Sequence, residues 1–207
     1  MANIHNIWNL AFIRISIYLW EVKLLIIISL ISFYSSSQEL SQSIIYKVIQ
    51  SIGSVEIREY EPALYASYMG NEKENNQTSS FRVLADYIFG SNASKQEIAM
   101  TSPVIIKLFN NNEMLFRMPK KYNTKNIPEP NNQNVKFIET SYIKKAIIQY
   151  SGYSNDDKEN EKIEELKTVL NKNNIKHNNQ FELFVYDPPY KFFNRTNEIS
   201  VNIYTDR

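Results

Sequence analysis

From Ile98 to Leu108 the chain reads IAMTSPVIIKL, the longest strand-like run outside the N-terminal segment. Apolar residues alternate along it with the period of two that a pleated strand imposes. Pro103 lies inside the run, and because proline cannot donate to a ladder, we expect an edge, a bulge or a bend there. Three asparagines at 110–112 then precede a second alternating run over residues 114–118. The sequence therefore predicts a β-hairpin with an asparagine-rich loop.

Working outward from this hairpin, the sequence predicts two halves with the same order of elements, strand-strand-helix-strand-strand. The halves run from about Tyr46 to Pro119 and from about Val135 to Tyr204, with helices near Thr78–Phe89 and Asp156–Lys172. One such half cannot bury the apolar face of its sheet alone. We therefore expect an α+β fold in which two βαββ-type repeats form a distorted antiparallel β-barrel with two flanking helices.

Composition limits the classes of function. The chain has 207 residues, 43% of them hydrophobic, which is enough for one domain with its own core. It contains no cysteine and only 4 glycines, which exclude a thiolate site and disfavour a glycine-rich phosphate loop. Outside the N-terminal segment the numbers of acidic and basic residues are equal, which argues against nucleic acid as a partner. Because no enzyme motif occurs, we expect a binding protein and not an enzyme.

Residues 1–37 have the character of a targeting segment. Leu24 to Phe33 is an apolar stretch about as long as a signal-peptide core and shorter than a bilayer span. We therefore expect export to the periplasm or the medium, with a mature chain that starts near Gln38 and a linker over 38–45. An uncleaved membrane anchor is the alternative, since residues 13–20 are also apolar. Contact with a membrane would then come only through this segment.

Seven short pieces of the sequence resemble the SOUL/haem-binding protein family, and they occur in the family's order. They are VEIREY at 55–60, the segment 81–92 that ends in GSN, IAMTSPV at 98–104, FRMP at 116–119, PEP at 128–130, YDPP at 186–189 and RTNEI at 195–199. No single piece is specific, so the resemblance rests on their common order. It implies the two-repeat fold over residues 46–207, which is similar to bacterial small-ligand effector-binding domains.

The resemblance also implies a function, the binding of haem or another tetrapyrrole in a largely apolar groove along the first helix. By position, the implied ligand-binding residues are Phe81, Leu84, Ala85 and Ile88 on the helix and Tyr186 and Lys191 on the groove wall. Lys191 would pair with a propionate, and Tyr186 would stack or donate a hydrogen bond. No histidine lies between Tyr46 and Lys176, so the sequence assigns no metal ligand.

Other interpretations of the same residues stay open. The fold could serve as a cofactor-free protein-interaction or envelope module, or bind another small amphipathic ligand. In that case the stripe around Phe81 is core packing, and Tyr186 begins a rigid turn that Asp187 braces. We also expect Arg58 to lie on a solvated strand face and His177 to lie in an exposed polar loop.

Overall fold

The computed structural model describes residues 46–70 and 77–204, which form an antiparallel sheet with two helices. In chain order the elements are β1 (Tyr46–Ile52), β2 (Val55–Tyr60), β3 (Ala63–Tyr68), α1 (Gln77–Ile88), β4 (Val104–Lys107), β5 (Glu113–Arg117), β6 (Lys136–Thr140), β7 (Ile143–Ser151), α2 (Asp156–Lys172), β8 (His177–Val185) and β9 (Thr196–Ile203). The predicted α+β class is confirmed. The predicted targeting segment and linker, residues 1–45, lie outside the described residues.

The nine strands form one sheet in the order β1-β2-β7-β9-β8-β4-β5-β3-β6, and all neighbours are antiparallel. β1 and β6 are its two edges. Among the described strands no ladder joins these edges, so the hydrogen-bonded sheet is open and does not show the predicted closure into a barrel.

The element order agrees with the prediction in the second half, where β6, β7, α2, β8 and β9 follow one another. The first half has three strands before its helix where two were predicted. β1 and β2 form a hairpin in which Ile52 pairs with Val55. Gly53 makes the tight turn between them possible, because it takes a left-handed backbone conformation with φ of 58°. Glu61 and Pro62 then separate β2 from β3, since proline cannot continue a ladder.

The predicted long strand over residues 98–108 is wrong in extent. β4 occupies only Val104–Lys107, and it begins directly after Pro103, which has no N–H to donate. The predicted hairpin itself is confirmed, because β4 pairs with β5 from Val104–Phe116 to Lys107–Glu113. Met100, expected on the apolar strand face, is instead exposed outside the sheet.

Both helices cover the same face of the sheet with the apolar stripes that the sequence predicts. α1 buries Leu84 and Ile88, and α2 buries Leu166 and Leu170, in one hydrophobic cluster with the facing strand residues. Neither helix in the described part of the chain is long and apolar enough to cross a membrane.

The opposite face, which we call the inner face, is covered by neither of the two described helices and is nevertheless buried. Arg58, expected on a solvated strand, is only 3% exposed, so that prediction is wrong. A cavity of about 280 Å³, the inner cavity, lies on this face and is lined by side chains from all strands except β1. Residues from so many strands can surround one cavity only because the sheet curls around its inner face.

Candidate functional site

An apolar cavity on the helix-covered side, which we call the outer groove, lies beside the first half of α1. It has a volume of about 630 Å³, within the roughly 300–1,000 Å³ typical of small-molecule sites. Its residues come from α1, the segment before β4, the strands below and the loop between β8 and β9. They include Phe81, Phe89, Met100, Val104, Ile106, Met114, Val185, Tyr186, Asp187, Pro188, Pro189, Tyr190 and Arg195.

The rim of the outer groove exposes large apolar side chains that the core leaves uncovered. Tyr190 is 77% exposed, Phe89 65% and Met100 43%. Beneath them, Phe81 is half-buried and packs edge-on against Phe116, with ring centroids 5.2 Å apart. Apolar side chains gathered at the mouth of a groove mark a ligand or partner site more strongly than scattered ones do.

The four predicted helix residues divide into two sets. Phe81 lines the outer groove, as the resemblance implies. Leu84, Ala85 and Ile88 are at most 9% exposed in the helix–sheet core and do not line the groove. They lie on the side of α1 that faces the sheet, so their contribution to a site is to fix the position of the helix.

Tyr186 and Lys191 are both engaged within the protein. Tyr186 lines the groove, but its hydroxyl donates to Glu198 Oε2 at 2.7 Å on the inner side of the sheet. Burial and the adjacent carboxylate of Glu198 raise the pKa of Tyr186, so the phenol stays protonated. Lys191 Nζ lies 2.6 Å from Asp187 Oδ1 and remains partly exposed, so its charge can reach a neighbouring anion.

The loop between β8 and β9, which forms one wall of the groove, is fixed by two side chains. Arg195 Nη1 donates to the carbonyl oxygens of Pro188 at 2.6 Å and Lys191 at 3.2 Å. Asp187 Oδ2 accepts a hydrogen bond from the backbone N–H of Thr196 at 2.7 Å. Burial opposes ionisation of Asp187, but the hydrogen bonds from Lys191 and from the Thr196 N–H outweigh it and lower the pKa of Asp187. The wall is therefore held in place before any ligand arrives.

Sequence reasoning missed several residues of this site. Met100 was expected to be core packing, Phe89 a helix end, and Arg195 part of a short motif. The available signal was the aromatic sequence after the two prolines, since Tyr190 begins a run with three aromatic residues in four positions. His177, at the start of β8, does not line the groove, and burial lowers its pKa.

The fit of a tetrapyrrole to this groove has two parts, the organic ring with its propionates and the iron. The apolar walls and the volume suit a flat ring. Lys191 does not line the groove itself, but it follows the lining residue Tyr190 and pairs with the lining residue Asp187, a position from which a lysine suits a propionate. For iron, the described groove residues offer the thioethers of Met100 and Met114 and the phenol of Tyr190, since the Tyr186 hydroxyl is already bound to Glu198. The residues therefore fit the ring better than the metal.

The family is shown by comparison with known proteins. The model of the SOUL heme-binding protein family matches residues 41–202 of this chain. This match covers the α+β fold and the groove beside its first helix, and the chain belongs to the SOUL heme-binding protein family. Among curated relatives, it is similar to Heme-binding protein 1 of Xenopus laevis, with 27% identity over 154 residues, 70% of this chain and 80% of that one. Heme-binding protein 1 of Xenopus tropicalis matches with the same figures.

Solved structures share the fold at much lower identity. A hydrolase from Listeria innocua superposes with a TM-score of 0.53 at 6% identity, over 75% of this chain and 94% of that chain. The EcmrR C-terminal domain superposes with a TM-score of 0.52 at 12% identity, over 79% of this chain and 100% of that chain. At such identities these likenesses support the fold alone.

Proposed function

We propose that this protein binds haem or another tetrapyrrole in the outer groove. The observation that carries the proposal is the groove itself, an apolar cavity of about 630 Å³. Its rim residues are large apolar side chains that stay exposed and so are open to a ligand. Membership of the SOUL heme-binding protein family agrees with it, as do the curated relatives named for haem binding.

Binding would come mainly from burial of ring surface between Phe81 and the β8–β9 loop. Burial of apolar surface contributes about 25 cal/mol per Å² before the cost of association. Lys191, which also pairs with Asp187, would contact a propionate at the solvent-exposed edge of the ring. Iron would be weakly ligated or unligated, because no histidine lines the groove among the described residues.

The proposal includes export and a role in carrying or buffering its ligand, without catalysis. The apolar segment at Leu24–Phe33 supports export, and the sequence carries no nucleophile elbow, phosphate loop or paired metal histidines that would support an enzyme. No nucleic acid partner is proposed, since acidic and basic residues balance.

A cofactor-free interaction module is the second candidate, and a specific observation favours it. Phe192 and Phe193, next to the groove wall, are 70% and 83% exposed and line no cavity described here. Aromatic side chains of this kind are common in the buried centres of protein interfaces.

A hemin titration of the purified protein, followed by visible absorbance, tests the first candidate against the second. We expect a saturable spectral change with a stoichiometry of one. A spectrum identical to that of hemin in buffer at micromolar protein would favour the interaction module.

A further inference from the structure

The inner cavity is a second, partly open space, separate from the outer groove. The two share no lining residue within the described chain. Its walls are mainly apolar and aromatic, formed by Tyr60, Tyr65, Ile105, Leu115, Ile138, Ile143 and Phe184. Its volume of about 280 Å³ falls just below the usual range for drug-sized ligands, so it suits a small molecule.

Two of the three cations at this cavity are neutralised by carboxylates. Lys145 Nζ lies 2.6 Å from Glu182 Oε2 and also donates to Asn202 Oδ1 at 2.7 Å. Lys107 Nζ lies 2.7 Å from Glu113 Oε2. These pairs leave no net charge at their positions.

The third cation, Arg117, has no such partner. It is only 5% exposed, and no hydrogen bond or ion pair joins its side chain to any of the described residues. Its Nε is buried without an acceptor, and burial lowers its pKa. Glu61, an acid close enough to influence it, is bound to Lys120 at 2.8 Å on the surface.

A buried guanidinium without a counter-charge destabilises the folded protein. We therefore expect a bound ligand to supply the acceptor that the described residues lack. The fork of N–H donors on arginine matches a carboxylate in bidentate geometry. Tyr65 lies directly opposite Arg117 in the β3–β5 ladder, so its side chain projects from the same face. Both side chains line the cavity.

We propose that the inner cavity binds a small monocarboxylate with an apolar body, whose carboxylate pairs with Arg117. One unpaired positive charge is balanced by one negative charge, and a phosphate dianion would leave an excess. The aliphatic and aromatic walls, with Leu115 two residues before Arg117 on the same strand face, accommodate the apolar part. This site is distinct from the tetrapyrrole groove and does not depend on it.

Thermal unfolding with hexanoate and with its neutral isostere hexanamide tests the proposal on the full chain. At about 10 mM, hexanoate is expected to raise the unfolding midpoint by about 2–4 °C, and hexanamide is expected to leave it unchanged. An equal shift with hexanamide, an equal shift with inorganic phosphate, or no shift with hexanoate would each overturn the proposal.

Variants then locate the binding site. Arg117→Met keeps an unbranched apolar side chain and removes the charge and the N–H donors, so hexanoate affinity measured by calorimetry should fall roughly ten-fold or more. The matched control Arg82→Met changes an exposed arginine on α1 and should leave the affinity as it was. Retained hexanoate affinity in Arg117→Met overturns the assignment. If Arg117→Met does not fold, the hexanoate and hexanamide comparison on the native chain still decides.

Discussion

The guanidinium of Arg58 and the carboxylate of Glu198 meet through two parallel hydrogen bonds on the inner face of the sheet. Nη1 lies 3.0 Å from Oε2, and Nη2 lies 2.9 Å from Oε1. Burial disfavours the charged guanidinium, but the hydrogen bond and charge of Glu198 outweigh it and raise the pKa of Arg58. Because Tyr186 donates to the same carboxylate, the pair also ties the start of the β8–β9 loop to β2.

Removal of one partner of this pair should destabilise the protein strongly. Glu198→Ala leaves the buried Arg58 with only the partly exposed Glu56 carboxylate, 2.7 Å from its Nε, as a counter-charge, and we expect the free energy of unfolding to fall by about 3 kcal/mol. Replacing both Arg58 and Glu198 with methionine should cost less, because no buried charge is then left unpaired. Urea unfolding measures both, with Glu139→Ala on the exposed side of β6 as the control. A Glu198→Ala loss no larger than the control's would contradict the role of the pair.

A charge at the rim of the outer groove should prevent tetrapyrrole binding. Tyr190→Asp places a carboxylate against the apolar ring at an exposed position, so we expect hemin affinity to fall at least ten-fold with an unchanged unfolding midpoint. Tyr142→Asp, an equally exposed tyrosine before β7, is the matched control and should bind hemin normally. Phe81→Asp should abolish binding, and its melting curve must be compared because Phe81 packs on Phe116. Unchanged binding by both groove variants would place the ligand elsewhere.

Lys191 should contribute modestly to propionate recognition. Since its ammonium is partly exposed and already paired with Asp187, Lys191→Ala should weaken binding of hemin and of metal-free porphyrin by about two- to five-fold. Lys120→Ala breaks a comparable surface pair with Glu61 and should leave both affinities unchanged. An effect on hemin alone would show that Lys191 acts on the metal and not on a propionate.

Local signals in the sequence were sufficient for the helices. Asn155 directly precedes the predicted helix at Asp156–Lys172 and is a residue type that favours the N-cap position, and its Oδ1 accepts from the backbone N–H of Lys158 at 2.9 Å. The stripe from Phe81 to Ile88 predicted α1 to within a residue at each end. Caps and helical periodicity depend on neighbouring residues, so they can be recognised without knowledge of the tertiary structure.

The inner face could not be predicted in the same way. The alternation of β2 shows that one of its faces is apolar, and the opposite face with Arg58 then appears solvated. Only the curl of the whole sheet buries that second face, and it depends on pairings between distant strands such as β4 with β8. The assignment of Leu84 and Ile88 to the groove failed for the same reason. The apolar stripe of a helix does not show which of its residues the sheet covers and which remain open to a ligand.

Acid should weaken the protein partly through Glu113. Burial opposes its ionisation, but hydrogen bonds from Lys107, Ser67 and Asn110 outweigh it and lower the pKa of Glu113 below the ordinary value for a glutamate. A lowered pKa in the folded state means a contribution to stability that is present above about pH 4.5 and lost as the pH falls further. Glu113→Gln should therefore lose less stability than the native chain between about pH 6 and about pH 3.5, measured by urea unfolding. Equal losses would show that this carboxylate is not the group that titrates.

Parallel titrations of the purified protein with hemin and with protoporphyrin IX test the central claim most directly. If the outer groove binds the ring through apolar contact, both should bind at micromolar concentration or tighter, with dissociation constants within about five-fold, a difference of roughly 1 kcal/mol. A hemin affinity far above that of the metal-free ring would reveal an iron ligand outside the groove residues described here. Failure of both to bind at micromolar protein would contradict the proposed function.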